Sequence, residues 1–163
     1  MIKFSAFFII FSFLLILPVN GVDFSKFMGH VISVADGDTI TVLTADNQQV
    51  KIRLYGIDCP ERRQAFGNRA RQTTSNAVSG KGVTVQPIEI DRYGRTVGIV
   101  FMPNNESLNS LLVREGMAWV YPQYCRRKEV CDQLRVFEQS ARNEKHGLWS
   151  DKEPMPPWEW RKQ

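Results

Sequence analysis

The stretch HVISVADGDTITVLTADNQQVKIRLY, residues 30–55, decides the fold. It contains three short β-branched runs, His30 to Ala35, Thr39 to Thr44 and Gln49 to Tyr55, each partly alternating between apolar and polar residues. Side chains on a strand point to opposite faces with a period of two, so such runs read as half-buried strands. The turn-forming segments Asp36-Gly37-Asp38 and Ala45-Asp46-Asn47-Gln48 separate them, which makes the whole a three-strand meander. In the third run Val50, Ile52 and Leu54 share one face, while Lys51, Arg53 and Tyr55 share the other.

Downstream, Arg63 to Ser79 places Ala65, Phe66, Ala70, Ala77 and Val78 at roughly helical spacing, and Gly80 follows as a stop. Val83 to Ile90 and Thr96 to Phe101 are two more strands, joined by Asp91-Arg-Tyr-Gly-Arg95. Leu108 to Arg114 reads as a short helix capped by Ser107 and ended by Gly116. Cys131 to Lys145 reads as a third helix, ended by Gly147. Strand and helix do not alternate strictly, which argues against a doubly wound sheet. The expected class is α+β, mainly β: a five-stranded Greek-key barrel of the OB type with about three helices. The unit spans 22–150, and the Pro- and Trp-rich tail 151–163 is expected to lie outside it, with its two Trp either packing on the barrel or meeting a partner, between which the sequence does not choose.

Upstream, Met1 to Gly21 holds 15 apolar residues, five of the ten Phe and a single charge, Lys3. A basic start, an apolar run, Pro18 and then small residues at Val19 and Gly21 form the layout of a cleaved export signal. The apolar run is short for a spanning helix, which needs about 20 such residues. The mature chain is therefore expected to be secreted or periplasmic, without stable membrane association. Nothing in it demands an oligomer, so a monomer is expected. Export implies an oxidising compartment, where the six-residue spacing of Cys125 and Cys131 suits a short-loop disulfide if the chain turns there. Two unpaired thiols are the alternative, because geometry decides. Cys59 is left over, and the two His stand apart from any zinc-ligand pattern.

The formal charge is +4 over 163 residues. Residues 51–95 contain nine basic and four acidic side chains, an excess of five; the rest of the mature chain carries 11 basic and 13 acidic, a net of −2. Positive charge concentrated on one segment suits a polyanion. The same segment holds Arg53, Asp58 and Glu61, and Asp38 lies in the turn before it. Each has a plain explanation alone: Asp and Gly belong in turns, and Arg belongs on the wet face of a strand. Clustered at element ends they mean more. Like charges about 4 Å apart repel by roughly 4 kcal/mol at an effective dielectric near 20, so such carboxylates require a proton, an arginine or a hard cation. Oxygen donors without His or thiolate favour Ca²⁺ or Mg²⁺ over zinc. Arginine forks such as Arg53 and Arg95 match phosphate oxygens.

In order along the chain stand Asp36-Gly-Asp-Thr39, Ile52-Arg-Leu-Tyr-Gly-Ile-Asp-Cys-Pro-Glu61, Asp91-Arg-Tyr-Gly-Arg95, Leu112-Val-Arg-Glu-Gly116 and Gly147-Leu-Trp149. From about residue 29 to 149 the chain resembles the thermonuclease (micrococcal or staphylococcal nuclease) family. The resemblance implies an OB barrel and calcium-dependent cleavage of phosphodiester bonds in DNA and RNA, leaving 3′-phosphate ends. It implies Asp38, Asp58 and the backbone carbonyl of Cys59 as calcium ligands, and Arg53, Glu61 and Arg95 as the catalytic set. The family often has Thr where this chain has Cys59; a carbonyl ligand is indifferent to that change, whereas a hydroxyl contact would be lost. Two other readings compete. A non-catalytic OB module that binds nucleic acid would not need all five side chains. A secreted calcium-binding structural domain would leave Arg53 and Arg95 without a role.

Overall fold

A computed structural model of the chain describes residues 24–163. The export signal read at 1–21 lies outside the described residues. The strands are β1 (Phe27–Asp36), β2 (Thr39–Thr44), β3 (Gln49–Leu54), β4 (Ile57–Asp58), β5 (Gly82–Ile90), β6 (Thr96–Phe101) and β7 (Trp119–Val120). The helices are α1 (Gly67–Val78), α2 (Leu108–Arg114), α3 (Lys128–Asn143) and α4 (Pro157–Trp160), with a 3₁₀ turn at Gly147–Ser150. Five strands close a barrel in the order β1-β2-β3-β6-β5, with β3 and β6 parallel and the other neighbours antiparallel. This is the expected five-stranded OB-type barrel.

Alternation in the sequence sets the barrel interior. Val31, Ile40, Val42, Ile52, Leu54, Val83, Val85 and Val100 are buried in one continuous core. Full burial of each such side chain is worth about 1.5–3 kcal/mol relative to exposure. Because Ile52 and Leu54 turn inward, Arg53 between them must point out of the barrel. It does not reach open water there, because a two-stranded sheet, β4 with β7, pairs Asp58 with Trp119 alongside it.

Helix α1 buries Gly67, Ala70, Thr74 and Val78, a stripe at three- and four-residue intervals. It packs on β1, and the Thr74 hydroxyl donates to the Gly37 carbonyl, so the helix clamps the β1–β2 turn. The helix starts at Gly67, not at Arg63 as the apolar spacing suggested. Residues 61–66 are spent on tight turns, with Gln64 N–H donating to Glu61 O and Gly67 N–H to Gln64 O. Phe66 takes a left-handed φ of 66° there. Gly67 is required by proximity: a Cβ would sit 1.9 Å from the Glu61 carbonyl oxygen.

Asn109 on α2, fully buried, donates to the Tyr55 carbonyl at 3.0 Å and accepts from the Val100 amide at 3.2 Å, stitching β6 to the end of β3. Helix α3 begins at Lys128, three residues earlier than its apolar pattern indicated. Cys125 and Cys131 are bridged across the intervening basic loop, and Cys59 is a buried free thiol. No helix among the described residues is long and apolar enough to cross a membrane.

The tail corrects the expectation that 151–163 lies outside the fold. Pro157 is buried, and Trp158 stacks on Tyr121 with centroids 4.8 Å apart and meets Trp119 edge-on at 5.8 Å. A tail rich in Pro and polar residues looks detachable in sequence. Trp158 nevertheless finds an aromatic shelf in Trp119 and Tyr121, which are distant in the chain.

Candidate active site

Three short segments converge on one corner of the barrel. The β1–β2 turn brings Asp38, β3 brings Arg53, and the turn after β3 brings Asp58 on β4. Arg53 Nη1 lies 3.2 Å from Asp38 Oδ2, and Nη2 donates to Asp58 Oδ1 at 2.8 Å. Nη1 also donates to the carbonyls of Leu54 and Ile57, at 3.1 and 2.9 Å. The guanidinium is thus held by two carboxylates and two carbonyls from the turn that follows its own strand. The Cys59 amide donates to Asp38 Oδ2 at 2.8 Å, which ties the two acidic motifs together. Gly37 makes that approach possible, since a Cβ there would meet the Cys59 side chain at 2.8 Å.

Burial sets the electrostatics of this corner. The Asp58 side chain is only 2% exposed. Burial pushes its carboxyl above the ordinary carboxylate range, against the opposing pull of Arg161 and Arg53. Burial by itself would lower the Arg53 guanidinium, but the adjacent Asp38 and Asp58 outweigh it and the net shift is upward. Burial also pushes the Cys59 thiol well up.

Glu61 joins the corner through a residue that the sequence reading missed. Arg161, from the tail, donates through Nη1 to Glu61 Oε1 at 2.6 Å and through Nη2 to Asp58 Oδ2 at 2.7 Å. Asp38, Asp58, Glu61, Arg53 and Arg161 therefore form one network of three carboxylates and two guanidiniums. A signal for Arg161 existed. Pro156-Pro157 is a helix start, and the turn that follows puts Trp158 and Arg161 three residues apart, on one side.

Arg95 is placed differently. It directly precedes Thr96, which pairs with Ile52 on β3, so it enters the same region of the barrel. Its side chain is held by Asp91 instead: Nε to Oδ2 at 2.6 Å, with the Arg95 amide on Oδ1 at 2.9 Å and the guanidinium 5.4 Å from the Tyr93 ring. The structure thus brings Asp38, Arg53, Asp58, Cys59 and Glu61 together and leaves Arg95 paired within its own turn.

Asp38 and Asp58 both face the Arg53 guanidinium, and their oxygen donors, with no thiolate or imidazole among them, are of the kind that hard cations take. Among the described residues no three His, Cys, Asp or Glu side chains converge to hold an ion, so a cation at Asp38 and Asp58 would rely on backbone oxygen and water for its other ligands.

The family model described as staphylococcal nuclease homologue matches residues 51–151, well over half of the chain. The chain belongs to the staphylococcal nuclease family. Among curated relatives, a protein of Escherichia coli O157:H7 named an uncharacterized endonuclease is 44% identical over 133 residues, covering 82% of this chain and 84% of its own. A micrococcal nuclease of Shigella flexneri is 39% identical over 155 residues, covering 90% and 87%. The staphylococcal-like nuclease CAN1 of Arabidopsis thaliana is 35% identical over 138 residues, or 82% of this chain and 41% of its own. Nuclease activity is what the family and these relatives support.

Proposed function

We propose that the protein is an exported, calcium-dependent nuclease that hydrolyses phosphodiester bonds of DNA and RNA and leaves 3′-phosphate ends. The observation that carries this reading is the convergence of Asp38, Arg53 and Asp58 in one buried corner, with Glu61 joined to Asp58 through Arg161. Asp38, Asp58 and the carbonyl of Cys59 are the residues that would hold calcium, whose chemistry when bound is to polarise a nonbridging phosphate oxygen. Arg53 then offers a fixed guanidinium to the charge that develops on the phosphoryl oxygens. Arg95 is the second arginine for that charge, and it must leave Asp91 to serve. Glu61 orients the attacking water and accepts its hydrogen bond. Orientation is the larger part of that role, because a carboxylate is a weak base toward water. Water oxygen bonds to phosphorus as the P–O5′ bond breaks, the water's proton ends on the departing 5′ oxygen as its hydroxyl, and the phosphate stays on the 3′ oxygen.

Export rests on the signal-like residues 1–21 and is supported by the Cys125–Cys131 bridge, which belongs to an oxidising compartment. The mature protein acts as a monomer on nucleic acid. The test is cleavage of plasmid DNA and of RNA by purified protein, with calcium and with excess chelator, followed by identification of the product ends. Calcium-dependent loss of both substrates with 3′-phosphate products is expected. Binding without cleavage would make the protein a nucleic-acid-binding module, and cleavage that persists in chelator would remove the metal. Secreted material that still begins at Met1 would overturn the signal.

A further inference from the structure

We infer that Arg161 is a positioning residue of the active site, delivered by the C-terminal tail, and that it acts by fixing the Glu61 carboxylate against Asp58. The inference rests on the function proposed above and extends it to a segment beyond the residues 51–151 that the family model matches.

Two separate contacts tie the tail to Glu61. The first is the guanidinium: Nη1 on Glu61 Oε1 at 2.6 Å, Nη2 on Asp58 Oδ2 at 2.7 Å. The second passes through Gln64, a buried amide. Its Oε1 accepts from the Glu61 backbone N–H at 3.0 Å, and its Nε2 donates to the Met155 carbonyl at 2.6 Å. The tail therefore holds both the backbone and the side chain of Glu61. Without Arg161 the Glu61 carboxylate has no cation beside it among the described residues, and it sits at the partly open edge of the site. A loose carboxylate there would sample orientations that do not direct a water at phosphorus.

The tail is built to hold this position. Helix α4 starts at Pro157, whose ring fixes φ for a helical turn, and Trp158 locks that turn onto Tyr121 and Trp119. Trp119 is the β7 residue paired with Asp58, so the aromatic anchor and the guanidinium bind the same two-stranded sheet. The contact uses Glu61 Oε1 and leaves Oε2 available to a water. Both terminal nitrogens of Arg161 are engaged with carboxylates, one on Glu61 and one on Asp58.

The experiment uses the full chain and a short DNA substrate with calcium, comparing Arg161→Ala, Arg161→Lys, Glu61→Gln and the double variant Glu61→Gln/Arg161→Ala. For Arg161→Ala, kcat should fall about 30- to 100-fold with KM changed less than about threefold, the pattern of an interaction that matters in the transition state. Arg161→Lys, a point charge without the fork, should recover only part of the loss. The double variant should be no slower than Glu61→Gln alone, because residues that act as one unit do not multiply their effects. Added guanidinium ion at millimolar concentration should rescue Arg161→Ala and leave Glu61→Gln unchanged, a response that a purely structural defect would not give. Tryptophan fluorescence reports whether the tail stays docked. Wild-type kcat in Arg161→Ala, multiplied losses in the double variant, or a rise in rate, which would make Arg161 a plug, each overturns the inference while wild-type cleavage leaves the function standing. Absence of cleavage by the wild-type protein overturns the function and this inference with it.

Discussion

Arg53 and Arg95 carry the same side chain, the first on β3 and the second just before the neighbouring strand β6, yet they are held in different ways. Arg53 is fixed from four directions, by Asp38, Asp58 and the carbonyls of Leu54 and Ile57, and lies inside a corner closed by the β4–β7 sheet. Arg95 is held by one carboxylate four residues earlier in its own turn, next to the exposed Tyr93 ring. The first guanidinium is preorganised, and its pairings already balance buried charge. In the reaction proposed above, the second must exchange Asp91 for substrate, so that stability and catalysis would overlap at Arg53 and separate at Arg95.

The largest expected effect is at Arg53. Arg53→Ala should cost about 10²–10³ in kcat through loss of a preorganised donor. It should also cost about 3 kcal/mol of stability, because one partner of a buried charge network is removed; urea unfolding beside a cleavage assay measures both. Arg95→Ala should lose about 10² in kcat, while unfolding shifts by less than about 1 kcal/mol because the ion pair broken is local and partly wet. Equal stability losses in the two variants would erase the distinction. Gly67→Ala probes the loop between them. Its Cβ would press on the Glu61 carbonyl, so a loss of about 1–3 kcal/mol from backbone displacement, together with a roughly tenfold slower kcat, is expected by the same two measurements.

The smallest effect is a pH dependence at Asp91. Burial pushes this carboxyl up, but hydrogen bonds from the Arg95 and Tyr93 amides and the Arg95 guanidinium outweigh it and hold it below the ordinary range. A carboxyl with a depressed folded-state pKa stabilises the fold above its unfolded value, near about 3.9, and that contribution is lost as pH falls through the folded value. Asp91→Asn should therefore flatten the loss of stability below about pH 4 and leave the profile near neutrality unchanged, as read by thermal unfolding across pH. An unchanged acid limb would mean that Asp91 holds Arg95 without any linkage to folding.

The barrel was legible because its signals are periodic and local. Alternation in residues 30–55 placed Ile52 and Leu54 inside and Arg53 outside, and the turn residues bounded each strand. Asp38, Asp58 and Glu61 stood out because they flank those strands. The β4–β7 pair was not legible, since two residues show no period and their partner lies some sixty positions away. For the same reason nothing along the chain revealed that Asn109 would stitch β3 to β6, or that helix α1 would begin after a series of tight turns.

The sequence by itself determined the barrel, the family motifs and the side on which Arg53 emerges, because hydrophobic periodicity and turn chemistry act between near neighbours. Only the tertiary structure decided which charges meet. It paired Arg53 with two buried carboxylates, turned Arg95 back onto Asp91, and folded the tail so that Arg161 reaches Glu61. Ion pairing depends on distance in space and on burial, and chain separation, a hundred residues between Glu61 and Arg161, sets neither.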